Sequence, residues 1–489
     1  MVLGTAPMVT PVTAPHDLAD RLTAIVGARW VLRRPAELRV YDADGLPGVH
    51  RRPALAVLPG TRDEVVAVVR LLAGAGVPFV ARGAGTGLSG GALADGAEHG
   101  AVLVGLNRLS RILRVDPENR LAVVEPGVVN ARLQQALVPH RLHYAPDPSS
   151  QSACTVGGNV AENAGGPHCL KYGVTLNHVL AATVVLASGQ VVTLGNPAGE
   201  DAGYDLLGAF VGSEGCFGVA LDVTVRLTPD PEAVRTLLAS FATIEDAARA
   251  TSAVIASGIV PAALEVMDAP AVAAVEASIY AAGYPTDAAA VLLCELDGPA
   301  AGLDVDAERV AALCAAHGAA EVRLARDAAE RQRLWQGRKK AFGAMGRLAP
   351  SLVLQDAVVP RTRLPAVLAE VYAAAARHGV RVANFFHAGD GNLHPAVPYD
   401  ASDPDESRRV HLAMGEIMRA CIDAGGTITG EHGVGLDKLA YMDRLFDPPT
   451  LDAMCRLRAA WDPERRANPG KAVPVHGCRE WRAAAGPLA

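Results

Sequence analysis

The run RGAGTGLSGG, residues 82–91, decides how the first half of the chain is read. Gly85-Thr86-Gly87-Leu88-Ser89-Gly90 fits the GxGxxG pattern of a Rossmann dinucleotide turn. Such a turn opens a helix and is followed about 20 residues later by an acid that holds a ribose hydroxyl. Neither condition is met. The loop-like GALADGAEHG follows, and LVGLNRLS beyond it carries no acid. The run reads instead as a backbone nest, in which small residues from 83 to 90 present N–H groups to a pyrophosphate without a helix.

Working outward, PALAVLPG supplies a buried strand at 55–58. Thr61 is a helix cap with Glu64 three residues on, the spacing of a capping box. The helix runs through VVAVVRLLAG and stops at Gly74 and Gly76, and VPFVAR is the next strand. This β-α-β unit leads straight into the nest. Beyond it come AVLVGL, the hairpin RILRV-DPEN-RLAVVEPG, the helix NARLQQALVPH and the hairpin VVL-ASGQ-VVTL. GSEGCFGVALDVTVRLTP closes the unit near Pro229. From about Arg235 strands and helices alternate, which predicts an antiparallel sheet with helices on one face. The stretch from EHGVG to NPGK reads as mostly helical. The expected class is α+β, divided into an N-terminal segment 1–50, a cofactor domain 51–232, a second domain 233–430 and a C-terminal segment 431–489.

Composition bounds the function. The 489 residues are half apolar and one-fifth charged, enough for more than one core. A net charge of −7 argues against a nucleic-acid partner. No apolar window is long enough to span a membrane, and the tail MVLGTAPMVTPVTAPHD lacks the pattern of a signal peptide. A cytoplasmic protein is expected. The eight cysteines, Cys478 included, form no CxxC pair, so no iron–sulfur cluster is implied and reduced thiols are expected.

Two further glycine runs, TVGGNVAENAGG and GSEGCFG, accompany the nest. Their glycines let backbone lie flat against a ligand, and Asn159 and Asn163 can hydrogen-bond a polar heterocycle. Three such loops in one β-rich domain suggest a large, extended cofactor. In the second domain, HAGDGNLH places His387 and His394 at the ends of a turn forced by Gly and Asp. A turn can bring both imidazoles to one point. GEHGVG offers a third ligand from Glu431 or His432, and two His with one carboxylate is a common open metal set.

Taken together, RGAGTGLSGGAL, YAPDPSSQSACTVGGNVAENAGGPHCLKYG, DLLGAFVGSEG, GRKKAFGAMGRLAP, VANFFHAGDGNLHP and GEHGVG resemble the flavin-dependent 2-hydroxyacid dehydrogenases of the vanillyl-alcohol-oxidase/PCMH superfamily. The resemblance spans nearly the whole chain. It is strongest to the flavin-bearing catalytic chains of the bacterial glycolate-oxidising enzymes, with D-lactate and D-2-hydroxyglutarate dehydrogenases as wider relatives.

The resemblance implies a PCMH-type FAD-binding domain at 51–232, a substrate or cap domain at 233–430 and a C-terminal segment that returns to the FAD domain. It implies that Gly83, Ala84, Gly85, Thr86, Gly87, Leu88 and Ser89 hold the FAD pyrophosphate. Pro146, Asp147, Ser149, Gly157, Gly158, Asn159, Asn163, Glu214, Gly218 and Val219 would line the rest. It assigns a divalent metal (zinc, with manganese or iron as alternatives) to His387, His394 and Glu431. His432 becomes the general base and Arg338 a substrate-carboxylate contact. Members with covalent flavin carry a His in the pyrophosphate loop; RGAGTGLSGG has none, so FAD is expected to be non-covalent. The 2-hydroxyglutarate enzymes place an Asn two residues after the second His, where this chain has Ala396. That points to a small acid, glycolate or D-lactate. Glycolate-oxidising relatives work with companion flavin and iron–sulfur subunits, so similar partners and peripheral association with the inner face of the cell membrane are expected. A metal-dependent hydrolase could use the same His-His-Glu set, but would have no need of three glycine-rich loops.

Overall fold

In a computed structural model of the chain, residues 17–94, 100–199 and 203–474 are described. The N-terminal tail before residue 17 and Cys478 lie outside them. The chain folds as two compact units. The described residues among 1–164, 174–229 and 431–489 form the first, and Gly165–Gly173 with Asp230–Gly430 form the second.

The first unit is built on two sheets. In one, strands Leu55–Val57, Val102–Gly105 and Phe79–Arg82 run parallel, with Val31–Leu32 antiparallel at the edge. Val102–Gly105 lies between the two strands of the β-α-β unit. The connecting helix Arg62–Gly74 buries Val65, Val68, Val69 and Leu72 against this sheet because those residues recur at helical spacing. Its cap differs from a standard box in one detail. Thr61 Oγ1 accepts from Glu64 N at 3.2 Å, while the Glu64 carboxylate reaches past Thr61 to the Gly60 N–H at 2.6 Å. The second sheet is antiparallel, in the order Ile112–Asp116, Leu121–Val124, Val219–Arg226, Val179–Val185, Val191–Gly195. Helices Asn130–Leu137 and Val156–Glu162 share its core through Leu133, Leu137, Val156 and Val160.

The second unit is a long antiparallel sheet, running from Ala319–Leu324 through Ala233–Phe241, Ala290–Gly298 and Ala263–Asp268 to Ala383–His387. Every residue of Ala263–Asp268 is buried, so the sheet is covered on both faces at this strand. The sequence pattern suggested helices on one face only. The near-continuous apolar runs of the central strands are what a doubly covered sheet requires. Among the described residues the segment from Glu431 onward is partly irregular, with helices Met442–Leu445 and Pro448–Trp461. No helix among them is long and apolar enough to cross a membrane. Most of the described cysteines are buried.

Gly165–Gly173 joins the second unit for an electrostatic reason. Glu295 sits buried in its central strand and collects donors: Arg331 Nε and Nη2 at 2.9 Å each, Thr236 Oγ1 at 2.8 Å, the Trp335 indole and, from the 165–173 segment, His168 Nε2 at 3.4 Å. Lys171 and Tyr172 of the same segment bond Asp297. Burial pushes the Glu295 carboxyl up, but the Arg331 and His168 bonds more than offset it and bring it down to about 2. A depressed carboxylate contributes stability above its unfolded value, lost as pH falls through the folded one. Glu295→Gln is therefore expected to destabilise the second unit by about 3 kcal/mol near neutrality, by breaking a buried charge pair. Denaturant unfolding should show the gap between variant and wild type closing as pH falls from about 4.5 towards 2.

Candidate active site

All the residues expected to hold FAD fall in the first unit. Residues 83–89 form the loop after strand Phe79–Arg82. Gly85 has φ +69°, and a Cβ there would stand 2.2 Å from Arg82 Nη2. That guanidinium is fixed, donating to the Ala43 carbonyl at 2.8 Å, so the loop can pass only as glycine. A Cβ on Gly83 would meet Thr155 Oγ1 at 2.3 Å. Pro146, Asp147 and Ser149 lie on the loop following Leu142–His143, with the Pro146 carbonyl held by Asn130 Nδ2 at 3.0 Å. Gly157, Gly158 and Asn159 open helix Val156–Glu162, and Asn163 ends it in the left-handed conformation. Gly218 has φ +138°, packs against the Val185 carbonyl, and leads into Val219 at the start of Val219–Arg226. Among the described residues, the buried Asn159 Nδ2 and Ser213 Oγ have no hydrogen-bond partner. Buried orphans of this kind call for a polar ligand. Together with loops that exclude side chains, they fit FAD.

Two of these residues also hold the loop that carries His432. Ser89 is fully buried, and its Oγ donates to the His432 carbonyl at 3.0 Å while its own carbonyl accepts from Leu436 N at 2.8 Å. Glu214 has φ +52° and clamps the same loop, Oε1 accepting from Val434 N and Oε2 from Gly435 N at 2.7 Å each. Glu162 lies beside the clamp. A Cβ on Gly433 would stand 2.5 Å from Glu162 Oε2 and 2.8 Å from Glu214 Oε1. Burial, reinforced by Glu214, raises the Glu162 carboxyl well above its ordinary value, which favours its neutral form. Glu431 Oε1 lies 3.9 Å from His432 Nε2.

The histidine turn belongs to the second unit. His387 ends strand Ala383–His387, and the chain reverses so that His387 pairs with Asn392. Gly391 N–H donates to the His387 carbonyl at 3.2 Å, and the Asp390 side chain accepts from Asn392 N at 3.1 Å. Gly391 has φ +84°, and a Cβ there would meet the Val359 carbonyl at 2.2 Å. The turn brings the His387 and His394 rings to 5.0 Å between centroids, nearly perpendicular, with both side chains buried. His394 Nδ1 donates to the Gln355 carbonyl at 3.2 Å. His387 Nδ1 faces both oxygens of Glu265, at 2.8 and 2.9 Å. Each Nδ1 thus faces an acceptor, which favours the tautomer with its proton there and its lone pair on Nε2, the atom a metal takes.

Arg338 lies on helix Ala328–Lys339 and is 3 % exposed. Its Nη2 is 2.5 Å from Glu265 Oε2, and its guanidinium lies over the Phe385 ring at 5.7 Å. Two acids escaped the sequence reading, Glu265 and Asp356. Asp356 is fully buried, accepts from Thr429 Oγ1 at 2.6 Å and Gly430 N at 3.0 Å, and lies 3.9 Å from His394 Nδ1. The signal for Glu265 was an acid inside the otherwise apolar ALEVM, where a buried strand has no use for charge without a partner.

Comparison with known proteins adds the family context. A family described as FAD linked oxidases, C-terminal domain, matches residues 230–472, and one described as FAD binding domain matches 53–195. The chain is 47% identical to the glycolate oxidase subunit GlcD of Escherichia coli (strain K12) over 93% of its own length and 90% of that protein. It is 33% identical to a D-lactate dehydrogenase of Anaerostipes hadrus over 86% of this chain and 89% of that one. Among solved structures, substrate-bound p-cresol methylhydroxylase superposes with a TM-score of 0.76 at 18% identity, covering 93% of this chain and 96% of that one, which shows a shared fold.

The glycine loop yields a direct test. Gly85→Ala forces Arg82 aside and strains a left-handed residue, and is expected to weaken FAD binding about tenfold. Flavin absorbance per protein and fluorescence titration with FAD would measure it. Gly74→Ala, where a Cβ meets nothing within 4 Å, should leave FAD binding unchanged.

Proposed function

Because the chain belongs to the FAD-linked oxidases represented by these relatives, we propose that it oxidises a small 2-hydroxyacid to the 2-oxoacid, with glycolate as first substrate and D-lactate as second. The observation that carries this reading is kinship along almost the whole chain with a glycolate oxidase subunit. The buried imidazole pair supports it, because a 2-hydroxyacid offers a carboxylate and a hydroxyl on adjacent carbons, a natural chelate for a metal held by two histidines.

FAD, bound without a covalent link, would supply the hydride acceptor, and a divalent metal held by His387, His394 and Glu431, zinc by preference, would supply Lewis acidity toward the substrate hydroxyl. The remaining work belongs to side chains. His432 takes the hydroxyl proton, since a neutral imidazole is a competent base near pH 7. Its loop is kept in place by Ser89 and Glu214, so the base needs little reorganisation to act. Arg338 forms an ion pair with Glu265 through Nη2, yet its buried Nε and Nη2 make no hydrogen bond among the described residues, and its guanidinium is the group offered to the substrate carboxylate. Ala396 is buried and apolar, and brings no polar group to a second, distal carboxylate. That favours a two- or three-carbon acid over 2-hydroxyglutarate. Electrons then pass to companion flavin and iron–sulfur subunits, through which the chain associates peripherally with the inner face of the membrane.

Two outcomes are expected. Under anaerobic conditions glycolate should bleach the visible flavin band of the purified protein faster than D-lactate, and D-2-hydroxyglutarate should leave it unchanged within the same time. A band untouched by all three acids in the metal-supplemented protein would overturn the assignment. His432→Ala should keep FAD and lower turnover at least about a hundredfold, the usual worth of a positioned base. Full turnover in that variant would remove His432 from the mechanism.

A further inference from the structure

Glu265 stands opposite His387 in the sheet, on the neighbouring antiparallel strand. Directly paired residues project to the same face, about 5 Å apart, so the carboxylate meets the imidazole edge without any loop in between. Both oxygens reach Nδ1, and Oε2 also meets Arg338 Nη2. All three side chains are buried. One carboxylate thus holds an imidazole expected to bind metal and a guanidinium expected to meet substrate.

We propose that Glu265 is a positioning residue of the site. By accepting from Nδ1 it fixes the His387 tautomer and ring angle, so that Nε2 is the ligand atom, and by pairing with Arg338 it sets the direction of that guanidinium. This rests on the metal reading above. A carboxylate in this interior needs countercharge, and Arg338 supplies it. Helix Ala328–Lys339, the strand of Glu265 and the strand of His387 are thereby fastened at one point, and a shift of any one element is felt by the ligand. Carboxylates that orient a ligating histidine typically change metal affinity 10–100-fold when removed.

The test uses FAD-loaded full-length protein titrated with zinc alone against a chromophoric chelator. Glu265→Gln is expected to weaken zinc binding by about 10–100-fold at unchanged FAD content, and His387→Ala to abolish it. A folded Glu265→Gln protein that binds zinc within twofold of wild type would falsify the proposal. The double variant Glu265→Gln/Arg338→Met removes the orphaned guanidinium and should fold while still binding zinc weakly; wild-type affinity there sinks the idea equally. Wild-type protein that takes up no zinc, manganese or iron refutes the metal reading instead. In that case, or if neither variant folds, long-range 1H–15N spectra of histidine-labelled wild type decide the role of Glu265. A proton on His387 Nδ1 supports its hold on the ring, and a proton on Nε2 overturns it.

Discussion

A carboxylate taken out of water must find donors or countercharge, and much of this structure follows from where its buried acids found them. Glu295 gathers Arg331, Thr236, Trp335 and His168, and so draws Gly165–Gly173 into the second unit. Glu214 takes the N–H groups of Val434 and Gly435 and fixes the loop after His432. Asp268 accepts from Ala271 N, Tyr372 Oη, and both nitrogens of Asn384, tying a helix start and the histidine strand to its own strand. Glu265 does the same for His387 and Arg338. These acids fasten segments distant in sequence, which apolar packing alone would locate less exactingly.

The acids differ in how well they are neutralised. Glu295 ends up low because Arg331 and His168 outweigh its burial. Asp268 meets donors but no cation among its hydrogen-bond partners, and burial leaves it at about 6. Its sign is opposite: the contribution is full below the ordinary carboxylate range and declines as pH rises through 6. The second unit therefore carries one fastener that weakens in acid and one that weakens towards neutrality.

This division explains what could be read from the sequence. The helix Arg62–Gly74, the hairpins and the histidine turn are local, and helical spacing, Asp-Pro-Glu-Asn and Gly-Asp-Gly mark them directly. The GxGxxG run was separable from a Rossmann turn because its neighbours are local too. The fasteners are not local. Glu265 and His387 are 122 positions apart, and His168 and Glu295 are 127 apart. No periodicity links them, so the acids in ALEVMD and AVLLCELDG stood as strand residues of the wrong polarity, and Gly165–Gly173 passed as part of the first domain. The covering of both faces at the central strands was missed for a related reason, since a doubly covered strand loses the alternation that marks its exposed side.

The same logic bears on the short stretch Glu431-His432, which the proposed chemistry needs most. It is the link where the chain passes from one unit to the other, after Gly430. On one side Asp356 holds the Gly430 N–H at 3.0 Å, within the second unit. On the other Glu214 holds the Val434 N–H at 2.7 Å, within the first. Successive Cα atoms are about 3.8 Å apart, so a span this short cannot stray far from either anchor. The residues that flank Glu431 and His432 are thus each held by a buried carboxylate, Gly430 by Asp356 and Val434 by Glu214.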